Sequence, residues 1–433
     1  MVKLITNAYI ITMDNSSDKV RKGEVLIQDG VIQFVGEKYQ GNLHPEEVID
    51  LSGKVIMPGF INAHTHTPMT LLRNYSDNTN LKEWLFESVL PIEKKLDKES
   101  VYYATLLGIF EYLKNGITTF ADMYYFEDIV AQAAYDSGIR AVISLGYHPN
   151  QNKSKDEIEN QYLNLVDKYK ERISFLFFNH SIYANNESQF ENIISLSKKY
   201  NLPVYTHMSE SLDEVSDCTV KNNNLTPPAL LEKYGYFDNN AIVAHATHLD
   251  PEDISILKQY NVNVVTNPAS NLKLGNGVAP LYSLHNNDIN IAIGTDGAAS
   301  NNALDMFKEM YLASVLQKSQ MRDASAMPSD DILKMATING AKALGINSLG
   351  KIKKGYKADI IAIDLDDVNL RPINNIKNSI VYSANPSNIY MTMINGKILY
   401  RDNKFYINKK EKEVIFKIQE KLKNLKNKKE DYE

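Results

Sequence analysis

Two histidines, His64 and His66, stand two residues apart in "PGFINAHTHTPMTLLR", directly after a short apolar run. Side chains alternate along a β-strand, so residues two apart share a face. Two imidazoles on one side of a strand end supply half of a metal site. Further polar groups close other apolar runs. Asp122 ends "GITTFAD", His180 follows "ISFLFFN", His207 lies in "LPVYTHM", His245 ends "AIVAH" and Asp296 follows "INIAIGT". Five of the nine histidines fall at such ends, which scattered core histidines do not do. Three neutral imidazoles and a carboxylate suit Zn²⁺ or Fe²⁺. His64, His66, His207 and Asp296 are the expected ligands of one divalent ion. Glu210, three residues after His207, is placed to reach a reacting atom. His248 is read as structural, and His44, His148 and His285 receive no role.

The runs that carry these residues recur between amphipathic stretches such as "NESQFENIISLSKKYN". Near-continuous apolar strands alternating with helices imply a parallel sheet covered by helices. Eight strands between Pro58 and Leu349 predict a (β/α)8 barrel of the TIM type, with its site at the C-terminal strand ends. Strands eight and one are then neighbours, and strand five reaches across the mouth. An open doubly wound sheet lacks its Gly-x-Gly-x-x-Gly fingerprint after the first strand. Trp84 to Lys98 reads as a loop-helix insertion after strand one. Both chain ends read as β-structure, with hairpin signals at Asp29-Gly30 and Asn395-Gly396. Isolated hairpins are marginal, so residues 1–57 and 350–408 are expected to build one small β-sandwich. Residues 409–433 are expected to form a helix and tail.

The chain of 433 residues carries a net charge of −6, which argues against nucleic-acid and anionic-membrane partners. Its single cysteine, Cys218, excludes a disulfide framework and a cysteine-based zinc site. The acidic context "DEVSDCTVKN" opposes a thiolate there. No leader-like segment or membrane span is visible, so a cytoplasmic protein is expected. A homo-oligomer is compatible with the sequence, but no interface is legible.

The stretches "PGFINAHTHTPMTLLR", "THMSE", "AHATHLD", "NPASNLKLGNGVAPL" and "GTDGAASNNALDMF" resemble the amidohydrolase superfamily. More narrowly they resemble its 5'-methylthioadenosine/S-adenosylhomocysteine deaminases, with chlorohydrolase-like and guanine deaminases as cousins. The resemblance runs through essentially the whole chain. It implies a mononuclear metal on His64, His66, His207 and Asp296. It implies Glu93 on ribose hydroxyls, His180 on the substrate, Trp84 lining the pocket, and Glu210, His245 and Asp296 at the reacting ring. Binuclear relatives carry a lysine at the end of strand four. "ISFLFFNHS" has none, which favours one metal and hydrolytic deamination over cyclic-amide opening; the implied substrate is a small nucleoside. Guanine deaminase, a triazine-type hydrolase and a non-catalytic barrel are the alternatives.

One departure stands out. Members acting on S-adenosylhomocysteine are expected to carry arginines at and after the end of strand three, gripping the amino-acid carboxylate. Here Leu145 occupies that place, and only Lys153 and Lys155 follow. The expected substrates are therefore 5'-methylthioadenosine, 5'-deoxyadenosine or adenosine rather than S-adenosylhomocysteine.

Overall fold

The computed structural model describes residues 1–14, 20–149 and 151–430. Eight parallel strands stand in chain order around a barrel: Phe60–Thr65, Ile117–Asp122, Arg140–Tyr147, Ile173–Asn179, Val204–Met208, Ala241–His245, Asn263–Thr266 and Ile291–Ile293. Side chains from all eight fill its interior, mostly small or branched, among them Ala63, Ala121, Val142, Leu176, Ala244, Val265 and Ala292, with Tyr205 from the fifth. The helices between them are started by local chemistry. Ser154, Asn186 and Asp250 each cap a helix in a reciprocal capping box.

The last and first strands meet through polar contacts. The Asp296 N–H donates to the His64 carbonyl at 3.0 Å. Asn62 accepts from the Thr295 N–H at 2.9 Å and donates to its hydroxyl at 2.7 Å. Gly294 makes this approach possible, since a Cβ there would stand 2.7 Å from the His64 carbonyl oxygen and 2.8 Å from its Cβ. The first strand is not a uniform ribbon. Its pairing register shifts between Asn62 and Thr65. Ile61 and Ala63 pack inside the barrel, whereas the Thr65 hydroxyl turns to Tyr112 on the covering helix Lys98–Lys114. The shift rephases the alternation, and His64 and His66 both enter the mouth.

A second, mixed sheet of nine strands is built from both chain ends, from Val2–Ile10 to Lys404–Phe405. The two hairpin turns expected from the sequence have the paired positive φ of type I' geometry: 50° and 79° at Asp29 and Gly30, 50° and 70° at Asn395 and Gly396. The expected C-terminal helix spans Glu411–Glu430; the last three residues of the expected tail lie outside the described residues.

A buried ion pair ties this sheet to the barrel. Arg140, at the start of the third barrel strand, donates through Nε and Nη2 to both oxygens of Asp359 at 2.7 and 3.1 Å. Its Nη2 also reaches the Asn395 side chain at 3.0 Å, and the Asn395 N–H donates to Asp359. Removing one partner leaves the other charge buried alone, which costs ~3–5 kcal/mol. Arg140→Met should therefore lower unfolding free energy by about that amount in urea titrations. A loss below ~1 kcal/mol would show that the pair is not what joins the two sheets.

Candidate active site

The barrel mouth gathers the imidazoles. The His66 ring Nδ1 lies 2.5 Å from the Met123 carbonyl, and the His207 Nδ1 lies 2.6 Å from the His180 carbonyl. A carbonyl only accepts, so each Nδ1 carries a proton, and each ring in its neutral form turns a lone pair inward from Nε2. Those two Nε2 atoms face each other at 3.4 Å. Two acceptors so placed repel unless a cation lies between them. Two nitrogens each bound about 2.0–2.1 Å from one tetrahedral ion stand about 3.3–3.4 Å apart. His64 is fully buried with neither ring nitrogen hydrogen-bonded, a costly condition for polar atoms unless something binds them. His64, His66 and His207 bring ligand atoms within 4.8 Å of one another, and so do His64, His245 and Asp296. The donor set fits a divalent transition ion.

Asp296 divides its two oxygens. Oδ2 accepts from the Ser270 and Ser300 hydroxyls at 2.6 and 2.7 Å. Oδ1 faces His66 and His64 Nε2 at 3.3 and 3.6 Å. Burial opposes its charge, but the pull of His64 and His66 overrides burial and holds the carboxyl well below the usual range. Burial lowers His64 to about 4 and drives His207 and His180 well below the ordinary imidazole value. His66 alone goes the other way. Burial lowers it, but Asp296 dominates and raises it to about 9, so the site draws positive charge to itself. Asp296 and His245 hold φ of 57° and 74°, a conformation non-glycine residues seldom adopt and one that collects at functional sites.

Beside this cluster lies an acid. Burial, reinforced by Asp296, raises Glu210 to about 8, so it is protonated at neutral pH. Asn276 donates to its Oε1 at 3.0 Å. Glu214 accepts the Ser209 and Glu210 backbone N–H groups at 3.1 and 2.7 Å, which fixes the turn carrying Glu210. His245 has Nδ1 2.8 Å from the Asn271 side-chain oxygen and Nε2 3.6 Å from Glu210. Burial keeps it neutral. His248 binds the Asn276 carbonyl at 2.6 Å, a supporting contact in keeping with its structural reading.

One pocket joins His66, His207, His245, Glu210 and Asp296 to Trp84, Glu93 and His180, so every residue expected at the site borders it or, like His64, lies beneath it. Burial raises Glu93 to about 7. The Trp84 indole nitrogen is buried and unpartnered. The sequence reading missed Tyr124, Tyr125, His148 and Tyr183 in the lining, and the Ser270, Asn271, Asn276 and Ser300 contacts behind it. The last four sit in "NPASNLKLGNG" and "GTDGAASNN", the stretches singled out for their specificity.

Leu145 requires a correction. It does not stand at the pocket. It is fully buried with Ile143 and Tyr147 on the helix side of its strand, where the Tyr147 hydroxyl meets Asn192 on the helix Glu187–Tyr200 at 3.1 Å. The side chain delivered to the pocket from this strand's end is His148.

The amidohydrolase family profile matches residues 55–399. A 5-methylthioadenosine/S-adenosylhomocysteine deaminase of Caldicellulosiruptor saccharolyticus is 42% identical over 404 residues, covering 93% of this chain and 94% of its own. A 5'-deoxyadenosine deaminase of Methanocaldococcus jannaschii is 39% identical over 388 residues, covering 88% and 92%. The crystal structure of an adenosine deaminase from Xanthomonas campestris with bound zinc superposes with a TM-score of 0.93 at 30% identity, over 98% of both chains.

Metal analysis of the purified protein should find one equivalent of a divalent transition ion. His207→Ala and His64→Ala should each reduce it at least tenfold at the same free-metal concentration, since each removes a ligand. Full occupancy in either variant would refute the ligand assignment.

Proposed function

The chain belongs to the amidohydrolase family, and on that premise we propose that it deaminates adenosine-type nucleosides. Water replaces the 6-amino group, giving ammonia and the inosine analogue. The observation that carries this reading is a protonated Glu210 beside a carboxylate-imidazole cluster, in a pocket with Glu93 further along it. His64, His66, His207 and Asp296 would hold one divalent ion, zinc for preference and iron(II) as the alternative. Bound there, it acts as a Lewis acid that can lower the pKa of water from about 15.7 towards 7.

The remaining steps belong to the chain's own groups. Asp296 takes a proton from the attacking water through Oδ1, because two serine hydroxyls engage Oδ2. His245 turns Nε2 towards the reacting centre and orients the incoming oxygen, its tautomer fixed by Asn271. Glu210 gives its proton to the ring nitrogen beside C6, so that the tetrahedral centre forms without a build-up of negative charge on the ring. The proton held by Asp296 passes to the amino nitrogen and the C–N bond breaks. The carbon-bound hydroxyl returns its proton to Glu210, and both carboxyls regain their starting states. Proton transfers of this kind contribute ~10²–10⁴-fold each.

Glu93 serves the ribose hydroxyls, His180 contacts the substrate and Trp84 lines the pocket. No arginine or lysine lines the pocket among the described residues. This supports 5'-methylthioadenosine, 5'-deoxyadenosine or adenosine as better substrates than S-adenosylhomocysteine, now on the pocket wall rather than on Leu145.

Ammonia release across adenosine analogues, guanine, pterins and triazines tests the substrate class. The 5'-substituted adenosines should lead in kcat/KM, and a lead by guanine or a triazine would overturn the reading. Glu210→Gln should lower kcat by ~10²–10⁴-fold with metal retained. Asp296→Asn, loaded with metal, should be nearly inert; wild-type kcat there would refute its role as base.

A further inference from the structure

Past Tyr125 and Pro149, the Glu93 end of the pocket continues into a second cavity of about 610 Å³, bordered by Glu93, Glu127, Gln151, Lys153 and Gln161. On the reading above, Glu93 holds the ribose, so a 5' substituent leaves the sugar at this end. Any charge on it then meets the wall that separates the two spaces.

That wall is built around Glu127, which opens the helix Glu127–Ser137 and is 3% exposed. Its Oε1 accepts from Lys153 Nζ at 2.6 Å, and its Oε2 accepts from Gln161 at 3.0 Å. His148 Nε2 lies 3.6 Å from Oε1, and the His148 ring stacks on Tyr125 with centroids 4.3 Å apart. Lys153 also approaches the Gln161 side-chain oxygen at 3.4 Å. Burial opposes the Glu127 charge, but His148 and Lys153 outweigh it and hold the carboxyl at about 2. Burial keeps His148 below its ordinary value, so it adds no cation at neutral pH. The other cations of the cavity, Lys94 and Lys98, are exposed at the rim, with Lys98 3.3 Å from Asp128. The one cation held against the pocket wall is thus already matched by a buried anion.

We propose that Glu127 is a specificity-determining residue: by binding Lys153 it withholds that cation from the substrate, so an anionic 5' tail finds no unmatched cation at the pocket wall and nucleosides that carry one are disfavoured. The discrimination is electrostatic: the wrong ligand's charge loses its water and gains no partner. It is independent of the steps at C6, although it rests on the nucleoside reading of the site.

The test uses two 5'-thioethers of adenosine of equal length, one ending in a carboxylate and one in the primary amide. With the unaltered protein, the amide should exceed the carboxylate in kcat/KM by about tenfold or more. Glu127→Gln frees Lys153 and should bring the ratio to about threefold or less, through a rise in the carboxylate's kcat/KM. Adding Lys153→Ala to Glu127→Gln should abolish that rise. Near-equal rates for the two tails on the unaltered protein, which needs no variant to fold, would overturn the proposal. So would a ratio that Glu127→Gln leaves unchanged. Failure to deaminate either thioether or 5'-methylthioadenosine would instead bring down the nucleoside reading, and the proposal with it.

Discussion

Two backbone carbonyls decide the chemistry of the barrel mouth. By accepting from the Nδ1 of His66 and of His207, the carbonyls of Met123 and His180 fix both tautomers and point two lone pairs at a shared space. Second partners of this kind commonly set a ligand histidine's orientation and basicity. Here they are main-chain groups at or just past the ends of neighbouring strands, so they cannot drift independently of the barrel. The same logic repeats one layer out. Asn271 fixes His245, the two serines fix one oxygen of Asp296, and Glu214 fixes the turn of Glu210. The reactive groups are held by contacts that leave their working atoms free.

The electrostatics of the site pull in two directions. Burial favours neutral imidazoles and a protonated Glu210, while Asp296 stays charged because His64 and His66 face it. Two carboxyls a short way apart thereby hold opposite protonation states at one pH, the condition for one to donate while the other accepts. Glu93 shares the buried, raised condition of Glu210, whereas Glu127 is kept anionic by its cationic neighbour. The pocket therefore has carboxyls of both kinds, sorted by what touches each of them.

Much of this was legible beforehand. All eight expected barrel strands form, because a helix-covered parallel sheet leaves long apolar runs with β-branched residues. The histidine or aspartate at the end of six of the eight runs marks the mouth, since a strand buried in the interior gains nothing from finishing on either. The same feature explains the failure at Leu145. A strand buried on both faces, such as "RAVISLGY", carries no alternation from which to read which side a residue faces. His148 was passed over because it lies just beyond that strand, where the chain's direction is set by distant contacts such as Tyr125 and Phe178. Ser270 and Ser300 were quoted in motifs but had no stated partner. Their convergence on one oxygen depends on the short helix Pro268–Lys273 meeting the turn after the eighth strand, which no local pattern encodes.

The seam between the eighth and first strands has a consequence for assembly. Its hydrogen bond joins the main chains of His64 and Asp296, two of the four residues whose side chains face the proposed ion. A barrel parted at that seam would also have parted the donors. Ion uptake and cylinder closure are therefore thermodynamically coupled, each tightening the other. Starving the protein of its ion loosens the wall as well as silencing the chemistry, and a weakened seam leaks the ion before any ligand is lost.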